Sequence, residues 1–197
     1  MPTLPLRTLA LLAALALLAP LAQAHEGPGL AGGFASGFAH PMLGWDHVVA
    51  MLAVGLWGAF LGAPALWLLP VIFPLVMAAG GALGVLGVPL PAVEIGIAVS
   101  AIALGGVVAG ALRPPLGVAA LLVAVFAVFH GHAHGTELPQ AASPIAYSLG
   151  FVIATGLLHL AGIGLGLPTR WPAGRVAVRG LGAGIAALGV VFLSRAA

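Results

Sequence analysis

The chain contains no cysteine and no lysine, and only four of its 197 residues are acidic. The lack of cysteine excludes disulfides, thiolate zinc sites and cysteine-ligated iron–sulfur clusters. Any metal must therefore be held by imidazole, carboxylate, thioether or backbone oxygen. Six arginines leave a net charge of only +2, which is too sparse for a nucleic-acid-binding patch. We expect no nucleic-acid partner.

Charge of either sign is scarce, whereas apolar residues are abundant. Charged residues make up 5% of the chain, hydrophobic residues make up 62%, and the mean hydropathy is +1.22. A soluble domain has about 25% charged residues. Because such an apolar chain cannot cover a water-facing surface, the composition predicts an integral membrane protein whose surroundings are the lipid bilayer.

Residues 1–24 have the pattern of a secretory signal peptide. Arg7 marks a short basic region, residues 9–19 form an apolar run, and Ala22-Gln23-Ala24 is a small-x-small cleavage site. An uncleaved first transmembrane helix is the alternative interpretation, but the apolar run is short for a span. After cleavage the mature chain would begin at His25, whose free amine and imidazole together could chelate a metal.

Six apolar segments follow, each near the roughly 20 residues that a spanning helix needs. Short proline- and glycine-rich breaks separate them. The segments cover residues 40–62, 65–87, 91–112, 115–135, 144–167 and 175–195. The pattern predicts an all-α integral membrane protein in which residues 25–197 form one domain, a compact bundle of about six transmembrane helices. Small-residue faces on these helices permit a homo-oligomer without requiring one.

The arginines indicate how the bundle is oriented. If the mature amino terminus lies outside, the loops after the first, third and fifth segments face the cytoplasm. These loops contain Arg113, Arg170, Arg175 and Arg179, whereas the outer side has only Arg195. The positive-inside rule thus agrees with the signal peptide. We expect a multi-pass protein of the bacterial cytoplasmic (inner) membrane with an extracytoplasmic mature amino terminus.

The first apolar segment opens with a cluster of ionisable residues. Such residues inside a membrane face a partner, a cavity or an ion, so the cluster is a functional-site hypothesis. Spacings of three and four place His40, His47 and Met51 along one face of a single helix. Their two imidazoles and one thioether are candidate metal ligands. Asp46 points about 100° away from that face. It is either a metal ligand or an acceptor that orients a histidine.

A second cluster lies at the end of the fourth segment. His130 and His134 are four residues apart on one helix face, and Glu137 joins them if the helix continues. An i, i+4 histidine pair can present two nitrogens to one ion. His132 points the other way, toward the outer vestibule. Imidazole with carboxylate and no thiolate suits nickel, cobalt, zinc or copper.

Two further positions have both a functional and a structural interpretation. His159 lies past the middle of the fifth segment, in line with Ser148 and Thr155. This stripe could be an ion path, or its hydroxyls could form helix–helix hydrogen bonds. Glu94 is either a vestibule ligand or a carboxylate that caps the third helix. These residues complete the set of additional metal-ligand candidates: His25, Glu94, His132 and His159.

At these residues the chain resembles the HupE/UreJ family of bacterial membrane proteins, which are nickel and cobalt permeases. The matching motifs are His40-Pro-x-x-Gly44-x-Asp46-His47 and Phe129-His130-Gly131-x-Ala133-His134-Gly135-x-Glu137. The first motif is also similar to the His-x-x-x-x-Asp-His signature of the larger nickel/cobalt transporter family, with one extra residue in the spacing. The resemblance implies nickel delivery to enzymes such as hydrogenase or urease, with no permanent cofactor and no enzymatic activity. It also implies the leading transport residues: His40, Asp46, His47, His130, His134 and Glu137.

The leading hypothesis is a secondary permease that imports nickel, with cobalt as the other candidate substrate. The chain has no Gly-x-x-x-x-Gly-Lys motif and hence no ATPase of its own. One alternative is an electron carrier with haem between histidines, such as His47 with His130 or His159. Others are a metalloenzyme with Glu137 as a base and a metal exporter with the same ligands. The outer-facing ligands favour import.

Overall fold

The computed structural model describes residues 30–137 and 143–196. All regular secondary structure within these ranges is helical. Its elements are α1 Leu30–Leu43, α2 Trp45–Leu61, α3 Ala65–Val85, α4 Val93–Ala109, α5 Leu116–Thr136, α6 Pro144–Gly166, a 3₁₀ turn Leu167–Arg170 and α7 Pro172–Ala196. The predicted all-α class is confirmed. The signal peptide of residues 1–24 and the candidate ligand His25 lie outside the described residues.

Several helices are long and apolar enough to cross a membrane. Four pass by length and composition, namely α3, α5, α6 continued through the 3₁₀ turn, and α7. The bent pair α1 and α2 passes the same test only when its two helices are taken together, and as one broken span it would be a fifth. Helix α4, a shorter apolar helix of 17 residues, corresponds to the remaining predicted segment. The chain is a multi-pass membrane protein.

The continuous helix predicted for residues 40–62 is wrong. Helix α1 ends at Leu43, α2 begins at Trp45, and the two helices meet at 82°. Gly44 between them has an extended backbone, with φ −96° and ψ 109°. The expected single face carrying His40, His47 and Met51 therefore does not exist. His40 belongs to α1, and His40 and His47 each lie beside His134 of α5.

Close packing of small residues sets the register between helices. A side chain at Gly131 of α5 would overlap the backbone of Met77 in α3, and one at Gly135 would overlap Gly81. The two helices therefore run in the same direction with their backbones in contact. In the same way α2 runs along α6, because a side chain at Gly55 would overlap the His159 carbonyl. The carboxyl end of α5 lies beside the start of α2, where the His130 and His134 rings contact His47.

The two ends of the bundle differ in charge. At one end, the starts of α2 and α4 and the end of α7 surround a 360 Å³ pocket lined by Asp46, Glu94 and Arg195. At the opposite end, the Arg113 guanidinium lies 4.7 Å from the centre of the Phe60 ring. The Arg179 Nε–H donates to the Ala109 carbonyl there at 2.8 Å. The bundle thus has an acidic, histidine-rich end and an arginine-rich end.

Candidate metal centre

Three side chains from two helices converge at the histidine-rich end of the bundle. His40 of α1, His134 of α5 and Glu137 at the carboxyl cap of α5 each offer a ligand atom, and these atoms lie within 4.8 Å of one another. The His40 Nε2 is 3.2 Å from the Glu137 carboxylate oxygen. Glu137 is exposed, His40 is half-buried and His134 is buried. Glu137 was predicted to join both His130 and His134, and in the structure it groups with His134 and His40 but not with His130.

The imidazole rings continue inward from this group as an unbroken row. The ring centres of His40 and His134 are 4.9 Å apart, and those of His134 and His47 are 4.3 Å apart. His47 then lies 4.8 Å from His130. The row alternates between helices, in the order α1, α5, α2 and α5. We call these four residues, His40, His134, His47 and His130, the histidine row.

Hydrogen bonds orient the inner two rings of the row. The His47 Nδ1 lies 2.9 Å from the Asp46 carboxylate oxygen, and because a carboxylate only accepts, we assign the Nδ1–H as donor. The Ser100 hydroxyl donates to the Ile97 carbonyl at 2.6 Å. Its oxygen then accepts from the His130 Nε2–H at 2.9 Å. Asp46 thus accepts a hydrogen bond from His47, which is one of the two roles that the sequence leaves open for it.

These bonds leave lone pairs that are buried and unused. The His47 Nε2 and the His130 Nδ1 have no hydrogen-bond partner among the described residues, and neither does either ring nitrogen of His134. A buried polar atom without a partner costs about 1–3 kcal/mol. When the three imidazoles are neutral, three of these four atoms carry lone pairs, because one nitrogen of His134 holds a proton. Imidazole lone pairs of this kind are ligands that borderline-soft cations accept.

The other predicted ligands lie outside the row. Met51 is fully buried in the hydrophobic core, one turn after His47 on α2. Glu94 is exposed and lines the pocket beside Asp46. The expectation that His132 faces the vestibule is wrong, because His132 is buried and its Nε2–H donates to the Val88 carbonyl at 2.8 Å. That bond ties α5 to the loop between α3 and α4.

His159 is separated from the row by one aromatic ring. Phe73 of α3 lies 5.5 Å from His130 and 5.4 Å from His159, measured between ring centres. His159 is 1% exposed. In the predicted stripe on α6, Thr155 is buried as well, whereas Ser148 is exposed. The stripe is therefore polar and buried only in its deeper half.

Sequence reasoning missed four neighbours of the row. Ser100 holds His130, and Phe73 covers its inner side. Tyr147 lies 5.8 Å from His40, and Phe151 lies 4.2 Å from His134. Ser100 carried a signal, since it is the single hydroxyl in the apolar helix α4, and such hydroxyls often bond across helices. The aromatic residues are indistinguishable from core residues in the sequence.

The ring contacts also bear on the haem alternative. Haem ligated by two histidines requires a porphyrin plane between the two imidazoles. The His47 and His130 rings contact each other directly at 4.8 Å, and Phe73 stands between His130 and His159. The geometry therefore opposes a haem at either predicted pair.

Comparisons with known proteins agree with these features. The family model described as HupE / UreJ protein matches residues 12–192. Protein HupE of Rhizobium leguminosarum bv. viciae is 45% identical over 182 residues, which cover 92% of this chain and 94% of that relative. No solved structure matches the chain. The family is one of nickel/cobalt transporters, and its members are not enzymes. On both the family match and the identity, the chain belongs to the HupE/UreJ family.

Proposed function

We propose that the chain is a secondary permease that imports nickel or cobalt from the extracytoplasmic side. The substrate ion would pass along the histidine row and supply nickel enzymes such as hydrogenase or urease. The transport domain would be residues 25–197 after removal of the signal peptide. The observation that carries the proposal is the unbroken row of four imidazoles, with successive ring centres 4.3–4.9 Å apart.

Capture would occur at the exposed end of the row. Glu137 supplies a carboxylate at the surface, and His40 lies beside it at 3.2 Å. A carboxylate attracts a hydrated divalent cation, and imidazole nitrogens then replace part of its water shell. Because His134 is buried behind them, the ion meets progressively less water as it moves inward. The outer group thus combines attraction with partial dehydration.

Transfer along the row would use shared ligands. His134 neighbours both His40 and His47, and His47 neighbours His130 as well. An ion can therefore bind the next imidazole before it leaves the previous one. Asp46 and Ser100 hold His47 and His130 with one ring nitrogen free of protein hydrogen bonds. Conduction requires several weak sites instead of one closed site, and a row of single nitrogens meets that requirement.

Import is supported by the distribution of charge. The arginine-rich end carries Arg113 and Arg179, and the histidine-rich end carries the carboxylates. The positive-inside rule assigns the arginine-rich end to the cytoplasm, so the histidine row would open outward. The sequence has no nucleotide-binding lysine motif, and the proposed driving force is an ion gradient or the membrane potential.

Radioactive nickel uptake in a transport-deficient bacterial strain tests the proposal. The parent chain should restore uptake, and His47→Ala should abolish it, because the row loses the ring that joins His134 to His130. His132→Asn is the matched control: it changes a buried histidine of α5 outside the row and retains an N–H donor for the Val88 carbonyl. Both variants must be present at the parental level in the membrane. A well-inserted parent that gives no uptake would refute import.

A further inference from the structure

The hydroxyl of Tyr147 is a buried polar group that has no part in the transport steps described above. Tyr147 is the single tyrosine of the chain and lies in the first turn of α6. It is 3% exposed, and its hydroxyl oxygen has no hydrogen-bond partner among the described residues. A buried hydroxyl without a partner is unfavourable, so a ligand that supplied a partner would be stabilised.

Packing against α1 and α5 fixes the position of the tyrosine ring. A side chain at Gly37 of α1, three residues before His40, would overlap the Tyr147 carbonyl. The ring centres of Tyr147 and His40 are 5.8 Å apart, with the planes at 67°. Tyr147 also stacks at 6.3 Å on Phe151, whose ring centre lies 4.2 Å from that of His134. The ring therefore lies beside histidines of both helices.

The two aromatic rings next to His40 and His134 differ in polarity. Among the described residues, the rings that pack on these two histidines from outside the row are those of Tyr147 and Phe151. Phe151 has no polar side-chain atom. The Tyr147 hydroxyl is thus the one polar side-chain atom that these two rings provide, and it can both donate and accept a hydrogen bond.

An ion captured at the outer end of the row would need such an acceptor. His40, His134 and Glu137 offer three ligand atoms within 4.8 Å of one another, whereas a divalent transition metal takes at least four ligands. The ion therefore keeps at least one water molecule. The metal polarises this water and makes its O–H a strong donor. Because His134 is buried, bulk water is a poor source of acceptors on that side of the ion.

We propose that Tyr147 is a positioning residue for ion capture, whose hydroxyl oxygen accepts a hydrogen bond from a water ligand of the ion held by His40, His134 and Glu137. The inference rests on the proposed transport of nickel or cobalt, and it adds a residue outside the histidine row to the capture step. Tyr147 strengthens binding at the first site and has no effect on passage along the row. The structural alternative is a hydroxyl that bonds within the fold whether or not an ion is bound.

Initial rates of radioactive nickel uptake into proteoliposomes containing the full chain test the capture role. Tyr147→Phe keeps the ring and removes the hydroxyl. It should raise the KM for nickel about tenfold, as expected for a partner of a metal's own ligands. The maximal rate should stay within about twofold of the parent, because binding is weakened equally before and during passage. Thr155→Val is the matched control, since it also removes a buried, unpartnered hydroxyl from α6, two turns further along. Its KM should match that of the parent.

Thermal melting in detergent, with and without nickel chloride, separates capture from a structural role. Without metal, Tyr147→Phe should melt at or above the parental temperature, because the hydroxyl that it removes makes no bond in the metal-free fold. The increase in melting temperature on adding nickel should be smaller than in the parent, since the variant binds the ion more weakly. A lower melting temperature without metal would show that the hydroxyl bonds within the fold, and would overturn the proposal.

The outcomes separate this inference from the proposed function. If the parent neither binds nor carries nickel, the proposed function fails, and the role of Tyr147 fails with it. If the parent carries nickel and Tyr147→Phe has the parental KM, only the role of Tyr147 is refuted. It is refuted in the same way if Thr155→Val raises the KM as much as Tyr147→Phe does, because the effect would then not depend on the position beside His40.

Discussion

Replacing Ser100 with alanine tests how the inner end of the histidine row is oriented. In the parent, the hydroxyl donates to the Ile97 carbonyl and accepts from the His130 Nε2–H. Ser100 and His130 are both fully buried, so no water replaces the lost acceptor without rearrangement. The variant leaves a buried N–H without a partner and removes the contact that keeps the His130 Nδ1 lone pair available to a cation.

The size of the effect follows from these two losses. An unsatisfied buried donor costs about 1–3 kcal/mol. Outer partners that orient a metal-binding histidine typically contribute about 10–100-fold to metal affinity. Because His130 is one of four rings in the row and the others retain their contacts, we expect a loss at the lower end of this range. Ser100→Ala should weaken nickel binding about tenfold, which corresponds to about 1.4 kcal/mol.

Isothermal titration of nickel into the purified variant measures this change directly. Ser194→Ala is the matched control, since the Ser194 hydroxyl donates to the Val191 carbonyl at 2.7 Å in the same local geometry but is exposed at the end of α7. The control should bind nickel as the parent does. Parental affinity in Ser100→Ala, with a similar melting temperature, would show that Ser100 does not orient His130 for metal.

Two further substitutions test the carboxylate that orients His47 and the packing of α3 against α5. Asp46→Asn keeps an oxygen acceptor at the position of the 2.9 Å bond to the His47 Nδ1–H but removes the charge. Nickel uptake should therefore fall about 10–100-fold. Parental uptake at equal membrane levels would contradict the orienting role of the carboxylate. Gly135→Ala places a methyl group against the Gly81 backbone, whereas the methyl group of Gly117→Ala on the same helix meets open space. Gly135→Ala should lower the melting temperature in detergent, because overpacking costs about 1–3 kcal/mol. Gly117→Ala should not lower it. Equal melting of the two would show that α3 and α5 do not depend on this close contact.

Much of the fold follows from the sequence because hydropathy is a local property. Each of the last five predicted apolar segments coincides with one of the helices α3 to α7, whereas the first covers α2 together with the end of α1. The approach of His134 to Glu137 was also predictable, since spacing along one helix determines which side chains share a face. The number of membrane-spanning helices was harder to predict from the sequence. Helix α4 has only 17 residues, and its length depends on where the flanking loops begin.

The break at Gly44 could not be predicted from spacing. Intervals of three and four residues from His40 to Met51 fit a continuous helix as well as two helices. In the structure, α1 packs against α6 so closely that a side chain at Gly37 would overlap the Tyr147 backbone. This contact with a helix more than a hundred residues later holds α1 at 82° to α2.

The sequence by itself determined that the protein lies in a membrane, where the helices α3 to α7 begin and end to within a few residues, and which end of each helix carries the ionisable side chains. Hydropathy decides whether a segment lies in lipid or in water, and the helical repeat decides which of its side chains share a face. Both rules apply to each segment separately, without reference to the rest of the fold. Only the tertiary structure decided that the histidines form a row drawn from three helices, that Asp46 and Ser100 orient it, and that Phe73 separates it from His159. Those relations depend on how closely helices distant in sequence approach one another, and this is set by glycine contacts between their backbones.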